Sequence, residues 1–293
     1  MTSMTALREV PAKLPLGMTK IMLSLMLTYI GCKSWMIPLM NKEFSTNEFL
    51  LGVTNSFSGG VFFMLAFGHL LPEALEGYAK LSISAETTFL VVLGGYFLMF
   101  VLDKILFDPR THAVAITSEG GKTGQGKGKG KGVATGKKPW DGSALALVGA
   151  MSIHSAFETM ALGLSRDKKS ALLMFASIGI HQPAESIALL VALLKTEMTR
   201  GQIAHLLLAY SSVSIIAILA ATFLSRFATP SVDATVMALT TGTFIYVGAT
   251  EVVNEEFENV SGDEMWYKFA ALIGGMSTIY AITQFTKKID ARL

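Results

Sequence analysis

Residues 170–194 read SALLMFASIGIHQPAESIALLVALL, an apolar run long enough to cross a bilayer that carries His181, Gln182, Pro183 and Glu185 at its centre. A hydrocarbon core needs roughly 20 mostly apolar residues per helix, and a backbone facing lipid must satisfy its hydrogen bonds within its own segment. The stretch therefore reads as a transmembrane helix whose polar centre needs an explanation.

Working outward, the same criterion marks eight spans, at 21–40, 50–72, 86–107, 142–165, 170–194, 203–225, 233–255 and 265–285. Of the 293 residues, 51% are hydrophobic and 16% charged, and the mean hydropathy of +0.50 lies outside the range of soluble domains. An all-α, multi-pass membrane protein is expected. A net charge of +2 and so little soluble surface give no support to a nucleic-acid partner. Cys32 is the single cysteine, so no intrachain disulfide can form. Residues 1–20 form a short polar segment with no small-residue cleavage site after it, so the first span is expected to be retained.

Residues 108–140 are the one long break, and their Gly/Lys repeat has nothing apolar to bury, so a disordered loop is expected there. The chain then divides into spans 21–107 before the loop and 141–293 after it. The triplet GKT at 121–123 lacks the glycine that a phosphate loop needs five residues earlier, where Ile116 stands, which excludes an ATP-driven pump. Lysines and arginines over the remaining loops balance between the two faces. The basic cluster in 122–138 favours a cytosolic loop and places both termini outside or in a lumen.

His154 and Glu158 in the fourth span, and His181 and Glu185 in the fifth, are each four apart. Positions i and i+4 share a helix face, and the short RDKKS link makes the two helices antiparallel neighbours. Two facing pairs form a set of two nitrogens and two carboxylates. A charged side chain at mid-bilayer costs at least about 2.5–3.5 kcal/mol, so four ionisable residues call for more than helix packing. A divalent ion explains them: carboxylates neutralise it and neutral imidazoles supply borderline-soft nitrogen, which suits Zn2+ and nearly as well Fe2+. Ligand type alone does not separate these from Mn2+ or Cd2+. Pro183 removes the amide hydrogen that would bond the Gly179 carbonyl, which predicts a kink beside the site.

The second span ends GVFFMLAFGHLLPEALE from Gly60 and the seventh ends GTFIYVGATEVVNEEFE from Gly242. Aligned without gaps, Phe62 meets Phe244, His69 meets Glu251 and Glu73 meets Glu255. Five spans separate the two ends, so they lie on opposite faces, as in the inverted-topology repeats of secondary transporters. The repeat would relate spans 1–3 to spans 6–8. His69 and Glu73 then mark one mouth of a route and Glu251 and Glu255 the other; the competing reading makes Glu73, Glu76, Glu255, Glu256 and Glu258 solvated helix ends, and it is favoured for the last three. A metal-dependent intramembrane hydrolase using the same cluster is the alternative, although HExxH is absent and a hydrolase has no use for acidic pairs at both mouths.

The motifs HSAFETMALGLS, HQPAESIAL, GHLLPEAL and GTFIYVGATE resemble the ZIP (Zrt-, Irt-like protein) family of divalent-metal transporters over nearly the whole chain. The resemblance implies eight helices in a 3+2+3 arrangement with the fourth and fifth spans at the centre, and metal movement toward the cytosol by alternating access. His154, Glu158, His181 and Glu185 match the central transport site, Glu251 an acidic exit position, and His69 the entrance. Some members hold a second ion beside the first. Here Ser155 and Gln182 stand at those places without charge, which implies one ion at a time. No resident cofactor is expected, since the ion is cargo. Expected partners are the ion, membrane lipid and, as an alternative to a monomer, a second copy in a homodimer. A plasma membrane location is expected ahead of an organellar one.

Overall fold

The computed structural model describes residues 15–106, 142–225, 229–258, 260 and 262–290. The basic loop, its His112 and residues 1–14 lie outside the described residues. Among those described there is no strand. The chain runs through α1 (Leu16–Met40), α2 (Lys42–Thr46), α3 (Glu48–Leu65) and α4 (Leu71–Lys80), then α5 (Ala85–Val101) and α6 (Gly142–Leu164). It continues with α7 (Lys168–Leu194), α8 (Arg200–Leu224), α9 (Pro230–Tyr246), α10 (Asn254–Phe257) and α11 (Asp263–Asp290). A π-helical turn, Ala66–Leu70, fuses α3 to α4, and a second, Val247–Val253, fuses α9 to α10.

Among the described residues, seven continuous helices are long and apolar enough to cross a membrane: Leu16–Met40, Glu48–Lys80, Ala85–Ile105, Leu147–Leu164, Lys168–Leu194, Arg200–Leu224 and Pro230–Phe257. The stretch expected as an eighth span lies within α11, whose first two turns hold Asp263, Glu264 and Lys268 and dilute its apolar character. α1 begins at Leu16, five residues before the expected start at 21, and it buries Lys20 with its ammonium donating to the Gly163 carbonyl at 2.7 Å.

Several helix starts are written in local sequence. Asp167 accepts from the Ser170 amide at 2.9 Å, and Thr199 with Gln202 closes a capping box at the head of α8. The distribution of polarity is that of a protein in lipid. Met18, Met22, Leu25, Phe89, Leu90 and Phe97 point outward, whereas Ser24, Asn55, Ser56, Thr88 and Thr241 are buried between helices. Small and hydroxylated residues at helix contacts let backbones approach where no hydrophobic drive separates lipid from Leu.

Two crossings use glycine for contact. α3 packs on α11 and α9 on α5. A Cβ on Gly60 would stand 1.9 Å from the Leu272 carbonyl oxygen and one on Gly275 2.1 Å from that of Phe57. In the other pair, a Cβ on Gly242 would meet the Val92 oxygen at 2.0 Å and one on Gly95 the Leu239 oxygen at 2.2 Å. Gly94, next in sequence, has open space where its Cβ would go. Gly95→Ala should therefore lower stability in detergent by about 1–3 kcal/mol through forced backbone shifts, while Gly94→Ala is neutral or stabilising. Thermal unfolding of the two variants checks this; equal melting temperatures would refute the close crossing.

Candidate metal centre

α6 and α7 lie against each other, with α9 and α8 each packed on α6. The four ionisable residues singled out in the sequence converge where these helices meet. His154, Glu158, His181 and Glu185 are all buried, Glu185 and His154 completely. One ligating atom from each of His154, Glu158 and Glu185 can be chosen so that all lie within 4.8 Å of one another. His181 Nε2 is in contact with Glu158 Oε1 and lies 3.7 Å from Glu185 Oε1, while His154 Nε2 is 3.4 Å from that same oxygen.

The hydrogen bonds around the cluster assign a tautomer. The Thr243 hydroxyl donates to the Thr240 carbonyl at 2.7 Å. A threonine has one hydroxyl hydrogen, so at 2.6 Å from His154 Nδ1 it must accept, and Nδ1 carries the ring proton. Nε2 faces Glu185 Oε1 at 3.4 Å, and with Nδ1 so engaged it is the nitrogen that a neutral ring would offer to a metal. Tyr210 donates to Glu185 Oε2 at 3.0 Å, which fixes that carboxylate while Oε1 faces the two imidazoles. Glu158 Oε2 is buried without a hydrogen-bond partner. A buried carboxylate oxygen of this kind is costly, and a cation would satisfy it. Phe244 closes the site from α9: its ring meets His154 edge-on at 4.2 Å and His181 at 5.4 Å.

Pro183 lies inside α7, which runs unbroken from Lys168 to Leu194. Ser155 and Gln182 are both buried. Ser155 Oγ is 3.3 Å from Ser214 Oγ, while the Gln182 side chain packs beside Gly31 of α1 and its Oε1 is buried without a hydrogen-bond partner. On one side of the cluster, His69, Glu73, Glu158, Met174, Ser177 and His181 line a common cavity. His69 Nε2 there meets Ser177 Oγ at 3.0 Å and Glu73 at 3.7 Å. On the other side, Asn55, Met151, Ala188, Leu189, Val247 and Glu255 line a second cavity. Glu251 falls within the π-helical turn Val247–Val253, and its side chain lies outside the described part.

Sequence reasoning missed Thr243, Phe244 and Tyr210. The first two sit inside the GTFIYVGATE motif, and the hydroxyl run Thr240, Thr241, Thr243 was the available signal. Glu256 corrects an expectation: it is not a solvated helix end but 2% exposed, held by Asn55 Nδ2 at 2.8 Å and by Lys195 and Lys268. Glu258 is exposed as expected, and Glu76 pairs with Lys80 at 2.8 Å.

A helical bundle with apolar spans and a buried His/Glu cluster defines a multi-pass membrane protein built around a cation-type site. A model of the family described as ZIP Zinc transporter matches residues 15–283, and the chain belongs to that family. Among relatives, bovine "Zinc transporter ZIP1" is 26% identical over 83% of this chain and 81% of its own length. The human protein of that name is 24% identical with the same coverage. "Zinc transporter 11" of Arabidopsis thaliana is 25% identical over 76% of this chain and 72% of its own. The family is one of transporters and not of enzymes, so metal-ion transport replaces the hydrolase reading.

Thr243→Val removes the acceptor that holds His154 Nδ1–H and should weaken zinc binding about 10–100-fold, as loss of an outer hydrogen bond to a metal-binding histidine does. Thr243→Ser should restore it. Titration calorimetry of the purified variants checks this, and equal affinities for Val and Thr would refute the role.

Proposed function

We propose that this protein carries Zn2+, with Fe2+ as a second cargo, into the cytosol by alternating access through His154, Glu158, His181 and Glu185. The observation that carries the reading is the buried convergence of His154, Glu158 and Glu185, with His181 against both glutamates, between two cavities, one lined by His69 and Glu73 and the other by Glu255. Zinc is named first because the relatives are named zinc transporters.

In this mechanism an aquated ion enters past His69 and Glu73 and exchanges water for imidazole and carboxylate at the centre. It then leaves past Glu251 and Glu255. Ser155 and Gln182 carry no charge, which favours one ion at a time. Pro183 leaves the Gly179 carbonyl without its helical donor and supplies a kink at which α7 can deform.

The architecture we assign is eight spans, α11 being the last, in a 3+2+3 arrangement with an inverted repeat. Three features favour it. The aligned Phe62 and Phe244 meet each other with ring centroids at 5.8 Å. π-helical turns surround both His69 and Glu251. The two glycine crossings also pair Phe57 with Gly275 and Leu239 with Gly95, which are related by nearly one offset along the chain. We assign it to the plasma membrane ahead of an organellar one, with both termini outside or luminal, and keep a homodimer as the alternative to a monomer. The lysine-rich loop 108–140 would face anionic cytosolic lipid.

Purified protein in liposomes should take up radioactive zinc, and Glu185→Ala should abolish uptake while the variant remains folded in the membrane. Normal uptake by that variant would refute the central site. Protons compete with the ion for imidazole nitrogen, so uptake should fall between about pH 7.5 and 5; a flat profile would remove the histidines from the ligand set.

A further inference from the structure

The cavity beyond the candidate metal centre ends at a group of charges of which the transport reading uses Glu255 alone. Its wall starts one turn from the ligands, at Met151 of α6 and Ala188 of α7, and reaches Glu255. The Glu255 carboxylate is already engaged there, with Lys195 Nζ 3.1 Å from its Oε1. The same ammonium lies 2.5 Å from Glu256 Oε1. Burial alone would lower the pKa of Lys195, but Glu256 and Glu255 outweigh it and raise the pKa above its ordinary value, so the side chain stays charged.

The two glutamates are held differently. Glu256 is buried and keeps two other partners, Asn55 Nδ2 at 2.8 Å from α3 and Lys268 Nζ at 3.1 Å from α11, with Lys268 also paired to Glu264 at 3.0 Å. Glu255 is 45% exposed, and the ammonium touching it is 33% exposed, so water can replace that contact at small cost. The three carboxylates and two ammoniums leave one net negative charge. Without Lys195 they leave two, which matches a divalent ion. Lys195 also follows α7 directly, ten residues after Glu185, or about 15 Å of helical rise. A shift of the helix that carries His181 and Glu185 must therefore move this ammonium.

We propose that Lys195 gates the Glu255 end of the cavity as a tethered counter-cation, and that a departing divalent ion passes by displacing it from Glu255. At equal distance a dication attracts a carboxylate about twice as strongly as an ammonium does. Asn55 and Lys268 keep Glu256 satisfied while Lys195 is displaced. Lys195 is thus a positioning residue for release. The inference rests on the reading that the ion leaves at this end.

The test uses the full chain in liposomes, with Cys32→Ser removing the native thiol and Ala192→Cys, on the cavity wall, reporting access to a membrane-impermeant methanethiosulfonate from the Glu255 face. Lys195→Met should speed labelling about threefold or more, the factor carried by a partly exposed ion pair, and Lys195→Arg should keep the parent rate. In the wild-type chain, which needs no variant to fold, Zn2+ should raise acylation of Lys195 by a water-soluble succinimidyl ester, read by mass spectrometry. A parent labelling rate in Lys195→Met, or acylation of the wild type that ignores Zn2+, overturns the gate. If the wild type still takes up zinc, either result leaves the transport reading standing. Absence of uptake by the wild type removes both.

Discussion

Glu185 is the constraint around which the bundle is arranged. Its carboxylate is completely buried, Oε1 faces His154 and His181, and Oε2 accepts from Tyr210. A carboxylate at that depth is tolerated only with partners from more than one helix, because no single helix can surround it. The partners come from α6, α7 and α8, and Thr243 of α9 fixes the ring of His154. Four helices are held in register by one charge, which makes the polar centre a structural requirement as well as a candidate binding site.

Much of this was legible because ionisable residues in apolar runs stand out. The i and i+4 spacing put His154 with Glu158 and His181 with Glu185 on shared faces, and the short link brought the faces together. What stayed hidden is what an apolar background conceals. Phe244 is one phenylalanine among 18, and nothing local says that its edge rests on two imidazoles. Tyr210 reads as an ordinary core or interfacial aromatic until Glu185 is placed beside it. The π-helical turns around His69 and in Val247–Val253 have no propensity signature, since the fifth-residue hydrogen bond depends on tertiary packing.

The charged helix ends misled for a related reason. Acidic residues past the last apolar turn are usually solvated, and Glu258 is. Glu256, two positions earlier, is buried because Lys268 on α11 and Lys195 after α7 reach it from elsewhere in the chain. Asp103 makes the same point at the end of α5. Beyond its neighbour Lys104 it accepts from Tyr246 at 2.6 Å, which ties that helix end to the last turn of α9. Periodicity reports which face a residue occupies, not which distant partner waits there.

The two ends of the route differ in how they hold charge, and this follows from which helices meet there. At the His69 end, His69 meets a neutral hydroxyl, Ser177, and the exposed Glu73 that shares its continuous helix. At the Glu255 end, Lys195, Lys268 and Asn55 come from three elements and converge on Glu256, so opening that end separates helices. The structure is therefore stiffer against change on the Glu255 side. A cation at the centre would add positive charge to α7 and weaken the hold of Lys195 on its carboxylates, whereas at the His69 end an ammonium that acts on Glu73 is the exposed Lys80 of α4. Asymmetry of charge, laid over similar helices, is what allows the two mouths to respond differently to the same ion.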